Sequence, residues 1–156
     1  MAYIGKMKDR NGNTVYPQTV VSALTDYKPM NVSQPSTLGI AYLNGSYDSW
    51  ANATHYRTIE LPDAYLVALS VHVNSTTVIN SANNHKLAVL SVPSNIRPLY
   101  TAEVIEGAMG PNGLSGSMFV MSLSTEGIVT VVLPGNYDSN NQTGYHGEFF
   151  YLAPKH

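Results

Sequence analysis

Regular alternation of apolar and polar residues is the sequence feature that most constrains the fold. Between Tyr65 and Val73, apolar side chains occupy every second position, which places them on one face of an extended strand. Clusters of glycine, proline and asparagine separate this segment from others of the same kind at a spacing of roughly ten residues. The predicted strands span residues 38–43, 55–61, 65–73, 86–92, 99–105, 117–123, 127–133 and 147–152. This pattern predicts an all-β protein, a jelly-roll-like β-sandwich of about eight antiparallel strands.

Some of these strands carry apolar residues on both faces. The run Met118-Phe119-Val120-Met121 is the clearest case. A strand of this kind is either buried on both sides or contacts a neighbouring subunit through its outer face. We therefore expect the chain to form a symmetric homo-oligomer, since closed symmetry is the common arrangement of soluble assemblies.

The first 35 residues differ in pattern from the remainder. Asn11-Gly12 favours a hairpin turn, because a two-residue type I′ turn needs positive φ at both central positions. Residues 19–27 are compatible with one or two helical turns, which are too short to be stable without a packing partner. We expect a short oligomerisation or attachment segment with its linker over residues 1–35, and a β-sandwich head domain over 36–156.

Low charge and the absence of cysteine narrow the function classes. Charged residues make up 12% of the chain and the net charge is −2. A nucleic-acid-binding protein would show a basic patch or stripe, which this sequence lacks. No apolar run is long enough to insert into a membrane, and the first ten residues lack the apolar core of a signal peptide. Without cysteine, disulfides and thiolate metal sites are excluded.

The titratable residues form no recognisable catalytic or metal-binding motif. Glu103 and Glu106 are three residues apart on a predicted strand, so their side chains point to opposite faces. A glycosidase needs two carboxylates that face one bond. Four carboxylates could converge only through the fold: Asp48, Glu103, Asp138 and Glu148. The five histidines lack metal-ligand spacing, and alternation places His72 opposite Val71 and Val73, towards solvent or a subunit. We expect no enzyme activity, metal or cofactor.

Two predicted polar loops combine aromatic rings with carboxylates and amides. Saccharide sites use this mixture, because a ring packs on the C–H face of a sugar while the polar groups bond its hydroxyls. One segment, residues 44–52, contains the single Trp, and the other spans residues 135–146. The candidate ligand-binding residues are Tyr47, Asp48, Trp50, Tyr137, Asp138, Asn140, Tyr145 and His146. The alternative is that Trp50 and Tyr137 fill gaps in the core or between subunits.

Residues 91–98 form a distinctive proline-rich turn, Ser91-Val92-Pro93-Ser94-Asn95-Ile96-Arg97-Pro98. It is similar to the "Leu/Val-Pro, short spacer, Arg-Pro" turn in the C-terminal head domains of phage tail-fibre and baseplate receptor-binding proteins. In those heads a strand, a Gly-containing turn and an aromatic last strand follow. Their counterparts are 100–106, Glu126-Gly127-Ile128-Val129-Thr130-Val131 and Phe149-Phe150-Tyr151-Leu152. Residues 9–19 resemble the opening of tail and baseplate proteins of phages that infect Gram-positive bacteria.

The resemblance implies a β-sandwich head, a homotrimer and a role in host adsorption beside other tail or baseplate proteins. We therefore hypothesise a phage or prophage tail-fibre or baseplate protein that binds host cell-wall saccharide. Such a protein is made in the bacterial cytoplasm, released by lysis and located in the virion. Two alternatives stay open, a purely structural virion or head-fibre component and a glycan-degrading tail enzyme. For Arg97-Pro98 itself we expect a structural role, because proline fixes φ and restricts the residue before it.

Overall fold

The computed structural model describes residues 31–110, 113–134, 138–139 and 143–155, together with 7–8 and 14–15. The chain divides into two compact units, Met1–Met30 and Asn31–His156. In the first unit, strand β1 (Met7–Lys8) pairs antiparallel with β2 (Thr14–Val15), as expected for the predicted hairpin. The turn of this hairpin and the predicted helical turns at 19–27 lie outside the described residues. The boundary between residues 35 and 36 stays a prediction.

In its described part, the second unit is a sandwich of nine antiparallel strands, which confirms the predicted all-β fold class. The strands are β3 (Ala41–Tyr42), β4 (Ser46–Asp48), β5 (His55–Glu60), β6 (Ala64–Ser75), β7 (Lys86–Ser91), β8 (Ala102–Gly110), β9 (Gly113–Leu123), β10 (Ile128–Val132) and β11 (Thr143–Pro154). Two single turns of 3-10 helix, Ser81–Asn83 and Ser94–Ile96, lie in the connections. None of the helices in the described part of the chain has the length and apolar character to cross a membrane.

The strands form two layers that are continuous with each other. Along the hydrogen-bonded path the order is β3-β7-β10-β9-β8-β11-β6-β4, and β5 also pairs with β6. The junction between the layers is the pair Gly144 and Met109, which joins β11 to β8. We call β4, β5, β6 and β11 the front sheet, and β3, β7, β10, β9 and β8 the back sheet.

A tight turn brings the two ends of this path together. Strands β3 and β4, which stand at opposite ends of the path, are separated only by residues 43–45. Asn44 and Gly45 have φ angles of 48° and 74°, and the Ser46 N–H donates to the Leu43 carbonyl at 2.9 Å. Positive φ at both central positions is the type I′ geometry that Asn-Gly favours.

Strand β6 forms the centre of the front sheet. It pairs with β11 along its whole length, from Ala64 opposite Pro154 to Ser75 opposite Thr143. Val67, Leu69, Val71 and Val73 are fully buried, which confirms the predicted inward face. Burial of each such side chain contributes about 1.5–3 kcal/mol to stability. The back sheet supplies the opposing core residues Leu87, Val89, Phe119, Met121, Leu123, Val129 and Val131. The alternate residues of β6 therefore face outwards.

Candidate functional site

One edge of β6 has two different strand partners, and the gap between them creates the candidate site. Strand β5 pairs with residues 65–70 of β6, and β4 pairs with residues 73–75. His72 lies in the gap. The Thr54 hydroxyl donates to the His72 carbonyl at 3.0 Å and accepts from the His72 N–H at 2.9 Å. The fully buried Thr54 side chain therefore takes the place of a neighbouring strand at this position.

The connection between β4 and β5 bulges outwards over this gap. At its start, the Ser49 N–H and hydroxyl donate to the His72 carbonyl at 3.0 and 3.1 Å. Across the connection, the Asp48 carboxylate accepts a hydrogen bond from the Thr54 N–H at 3.3 Å. These bonds fix both ends of the connection and hold Trp50 between them, above the outer face of the front sheet.

Trp50, His72 and His146 form a ring cluster on this outer face. The ring centroids of Trp50 and His72 are 5.9 Å apart, with their planes tilted by 40°. His72 stacks on His146 at 5.7 Å, with only 9° between the planes. The two histidines are directly opposite each other on β6 and β11, so strand register brings them together. Trp50 is 68% exposed and offers its ring to solvent, which argues against a role as core filler.

Polar side chains border the ring cluster. Glu148 accepts a hydrogen bond from the Ser70 hydroxyl at 2.5 Å, and its Oε1 lies 3.9 Å from His72 Nε2. His55 is opposite Ser70 on β5 and therefore shares the same outer face. An aromatic surface with acceptors and donors at its margin is the arrangement that a saccharide ligand needs.

The electrostatic surroundings favour the neutral form of His72. Burial lowers the pKa of His72, and the neighbouring His146 and His55 lower it further. The carboxylates of Glu148 and Asp48 act in the opposite direction, but the net effect is a pKa below the ordinary histidine value. At neutral pH the centre of the ring cluster is therefore uncharged, which suits contact with the C–H face of a sugar.

Tyr145 requires a correction to the predicted set of ligand residues. We expected residues 135–146 to be a loop, whereas β11 begins at Thr143. Strand alternation then turns His146 outwards and Tyr145 inwards. Tyr145 is 1% exposed and packs edge-on against Phe119, with ring centroids 5.3 Å apart. Its ring belongs to the core and is not available to a ligand at the surface.

The structure places two of the other predicted residues, Tyr47 and Asp138, apart from each other. Tyr47 is opposite Asn74 on the outer face of the front sheet and is 42% exposed. Asp138 is placed elsewhere, with its Oδ1 at 3.8 Å from Nδ1 of His85 in the connection between β6 and β7. Tyr137 and Asn140 lie outside the described residues. Of the predicted set, the structure thus brings His146 and Trp50 together around His72.

Three residues of this region were absent from the predicted ligand set: His55, His72 and Glu148. Alternation along the strands assigns all three side chains to outward faces, and this orientation is the part of the site that the sequence could predict. Their proximity depends on the pairing register, which alternation does not give. Among the described residues, no group of three or more His, Cys, Asp and Glu side chains is arranged to hold a metal ion.

Comparison with known proteins gives one result about the fold. No family model matches the sequence, and no curated protein matches it. A solved structure, the receptor binding protein (gp15) of Listeria phage PSA, is similar over 96% of this chain and 82% of its own. The TM-score is 0.56 and the sequence identity is 19%. The two proteins share a fold. Because one fold hosts many functions, the function of this chain is argued from its site.

Proposed function

We propose that this chain is a receptor-binding component of a phage tail, carried in the virion, and that its ring cluster binds saccharide on the host surface. The observation that carries the proposal is the exposed Trp50 ring, held in place beside stacked imidazoles and bordered by Glu148. An aromatic ring presented in this way packs against the C–H face of a sugar. The fold shared with the Listeria phage protein supports a role in adsorption and leaves the ligand open.

Adsorption to purified cell walls from a panel of Gram-positive bacteria tests this proposal. Trp50→Ala removes the exposed ring of the cluster, whereas Tyr100→Ala removes an 80% exposed ring just before β8 and serves as the matched control. We expect Trp50→Ala to weaken binding by about tenfold or more, as for an aromatic hot spot, and Tyr100→Ala to bind as wild type. Equal binding by all three proteins would overturn the ring cluster as the receptor site.

We propose that this protein binds glycan without cleaving it. Of the four carboxylates considered from the sequence, Glu103 is on the back sheet and Glu148 on the front sheet, both exposed at the outer surface. Asp138 is beside His85. Asp48 acts with Glu148 to raise the pKa of His72 against the larger effect of burial, but its carboxylate accepts a hydrogen bond from the Thr54 N–H of its own connection. A glycosidase needs two carboxylates facing one bond. Release of reducing sugars from cell walls incubated with the protein would contradict this part of the proposal.

We also propose that the chain acts as a homotrimer that associates through the outer face of the back sheet. Ile105 and Met118 are 65% and 63% exposed on this face. Val120 is opposite both Ile105 and Val132, so these apolar side chains lie on three adjacent strands. An exposed apolar patch of this kind is typical of an association surface. Multi-angle light scattering should give three chains for wild type and fewer for Met118→Lys, with Thr125→Lys as control. A monomeric wild type would exclude the trimer.

A further inference from the structure

A cavity opens at the edge of the front sheet, where residues 31–36 extend the sheet beyond β5. Val32 and Ser36 form antiparallel bridges with Ile59 and Tyr56 of β5. The resulting wall, the 3-10 turn Ser94–Ile96 and the end of β11 line an open cavity of about 360 Å³. This size lies within the range of small-molecule sites and is sufficient for a single sugar ring.

The polar groups of this cavity are uncharged and can both donate and accept. They are the hydroxyls of Ser33, Ser36 and Thr58 and the amides of Gln34 and Asn95. The Ser33 hydroxyl oxygen accepts from the Thr58 N–H at 2.9 Å, and that of Ser36 accepts from the Leu38 N–H at 3.2 Å. Because each serine oxygen accepts a backbone bond, its O–H proton is left to donate to a ligand. Every lining residue that the structure describes is neutral.

Two tyrosine rings provide an apolar wall. Tyr56 is 7% exposed, and its hydroxyl donates to the Leu38 carbonyl at 3.3 Å, so the ring is fixed. Tyr65 is partly buried and packs against the core. The Lys155 ammonium lies 5.5 Å from the centroid of the Tyr65 ring, and it forms an ion pair with Glu60 at 2.8 Å. A rigid aromatic wall facing hydroxyls and amides complements a ligand with an apolar C–H face and a hydroxylated rim.

We propose that this cavity is a second binding site that takes one neutral monosaccharide unit. An anionic sugar is disfavoured because the described lining residues are neutral, and the ammonium of Lys155 beside Tyr65 is already paired with Glu60. Tyr56 and Thr58 of β5 point into the cavity, whereas strand alternation turns His55 to the outer face that carries the ring cluster. The cavity and the ring cluster are therefore on opposite faces of β5. The two sites can therefore be occupied independently, and this proposal does not depend on saccharide binding by Trp50.

Ligand-detected NMR on the full chain tests the proposal, with glucose, galactose, rhamnose and N-acetylglucosamine as neutral probes. Glucuronic acid and glucose 6-phosphate are the charged counterparts. We expect at least one neutral sugar to bind and both charged sugars to bind more weakly. The double variant with Gln34→Ala and Asn95→Ala should weaken binding about fivefold or more. Both residues are at exposed positions that tolerate substitution. Ser94→Ala, on the same 3-10 turn, is the control and should bind as wild type.

The alternative outcomes separate this site from the ring cluster. Trp50 is the only tryptophan, so a ligand in the ring cluster changes its fluorescence, whereas a ligand in the cavity leaves it unchanged. Sugar binding that persists in Trp50→Ala and is lost in the Gln34/Asn95 double variant supports the cavity. No binding by any neutral sugar overturns the proposal, as does equal binding of the charged sugars. Binding that is lost in Trp50→Ala alone also overturns it and assigns the ligand to the ring cluster.

Discussion

Gly127 packs its α-carbon directly against the side chain of Arg97. A Cβ atom at position 127 would lie 2.9 Å from Arg97 Cγ and 3.0 Å from Val92 Cγ2. The Gly127 carbonyl also accepts a hydrogen bond from the Val92 N–H at 2.8 Å. Two of the segments that carry the resemblance to phage head domains, the Arg97-Pro98 turn and the Gly127 turn, are therefore in contact. This contact gives Arg97 a packing role.

Substitution of Gly127 should destabilise the β-sandwich. Its φ of +82° is unfavourable for a residue with a side chain, and the added methyl group would clash with Arg97. We expect Gly127→Ala to lower the free energy of unfolding by about 1–3 kcal/mol, measured by urea denaturation. Thr125→Ala, at an exposed position of the same turn, should change it by less than about 0.5 kcal/mol. A Gly127→Ala variant as stable as wild type would show that the turn can rearrange.

The Thr54 hydroxyl should be essential for the conformation that positions Trp50. It makes two hydrogen bonds with the His72 backbone, where β6 has neither β4 nor β5 as a partner. Thr54→Val keeps the size of the side chain but leaves the His72 N–H without its acceptor, while Ser49 still donates to the His72 carbonyl. We therefore expect a loss of about 1–3 kcal/mol in unfolding free energy. Thr54→Ser retains the hydroxyl, so its free energy of unfolding should fall by less. A larger loss in Thr54→Ser than in Thr54→Val would mean that packing of the methyl group outweighs hydrogen bonding here.

Ser139 anchors the connection between β10 and β11. Its hydroxyl accepts a hydrogen bond from the buried Ile79 N–H at 2.7 Å, and its own N–H donates to the Ile79 carbonyl at 2.8 Å. Ser139→Ala leaves the Ile79 N–H without this acceptor, and we expect a cost of about 1–3 kcal/mol. Chemical denaturation measures the loss, with exposed Ser81→Ala as the control. No difference between the two variants would exclude the anchoring role.

Strand alternation predicted most of the fold because it depends on each segment alone. Eight predicted segments correspond to strands, with shifts mainly at their ends. Strand β4 was missed because it is short and polar and lies in a segment interpreted as a loop. The Asn44-Gly45 pair was a usable signal, since it is the same turn signature that predicted the hairpin at Asn11-Gly12. Tyr145 was misassigned because β11 begins earlier than expected, and one residue decides which face a side chain occupies.

The candidate sites were harder to predict because they depend on long-range pairing. Trp50 and His146 are distant in sequence, and His72 brings them near each other. His72 pairs with His146 and lies under the connection between β4 and β5 that contains Trp50. His72 alone gave no functional signal beyond an outward orientation. The cavity beside β5 requires residues around Ser36 to pair with β5. This segment was predicted to lie at the boundary between the linker and the β-sandwich. Hydrophobic periodicity contains no information on such pairings.

The lowered pKa of His72 should make the stability of the protein depend on pH. Burial and His146 favour neutral His72 in the folded state, so its pKa lies below the value of about 6.5 expected in the unfolded chain. Between these two values the unfolded state binds more protons than the folded state. The contribution of His72 is therefore fully present above pH 6.5 and is lost progressively as the pH falls towards its folded pKa. Between pH 7 and 5, wild type should lose more stability than His72→Gln.

The protonation of His72 can be followed directly by NMR titration of its ring protons. We expect an apparent pKa below 6.5, and replacing His146 with Gln should raise it, because a neighbouring imidazolium no longer opposes protonation. Replacing Glu148 with Gln should lower it further, because the carboxylate 3.9 Å away favours the charged form. Opposite shifts in these two variants would establish that His72 responds to both neighbours. A wild-type pKa at or above 6.5 would mean that Glu148 outweighs burial, and the ring cluster would then be cationic in mildly acidic surroundings.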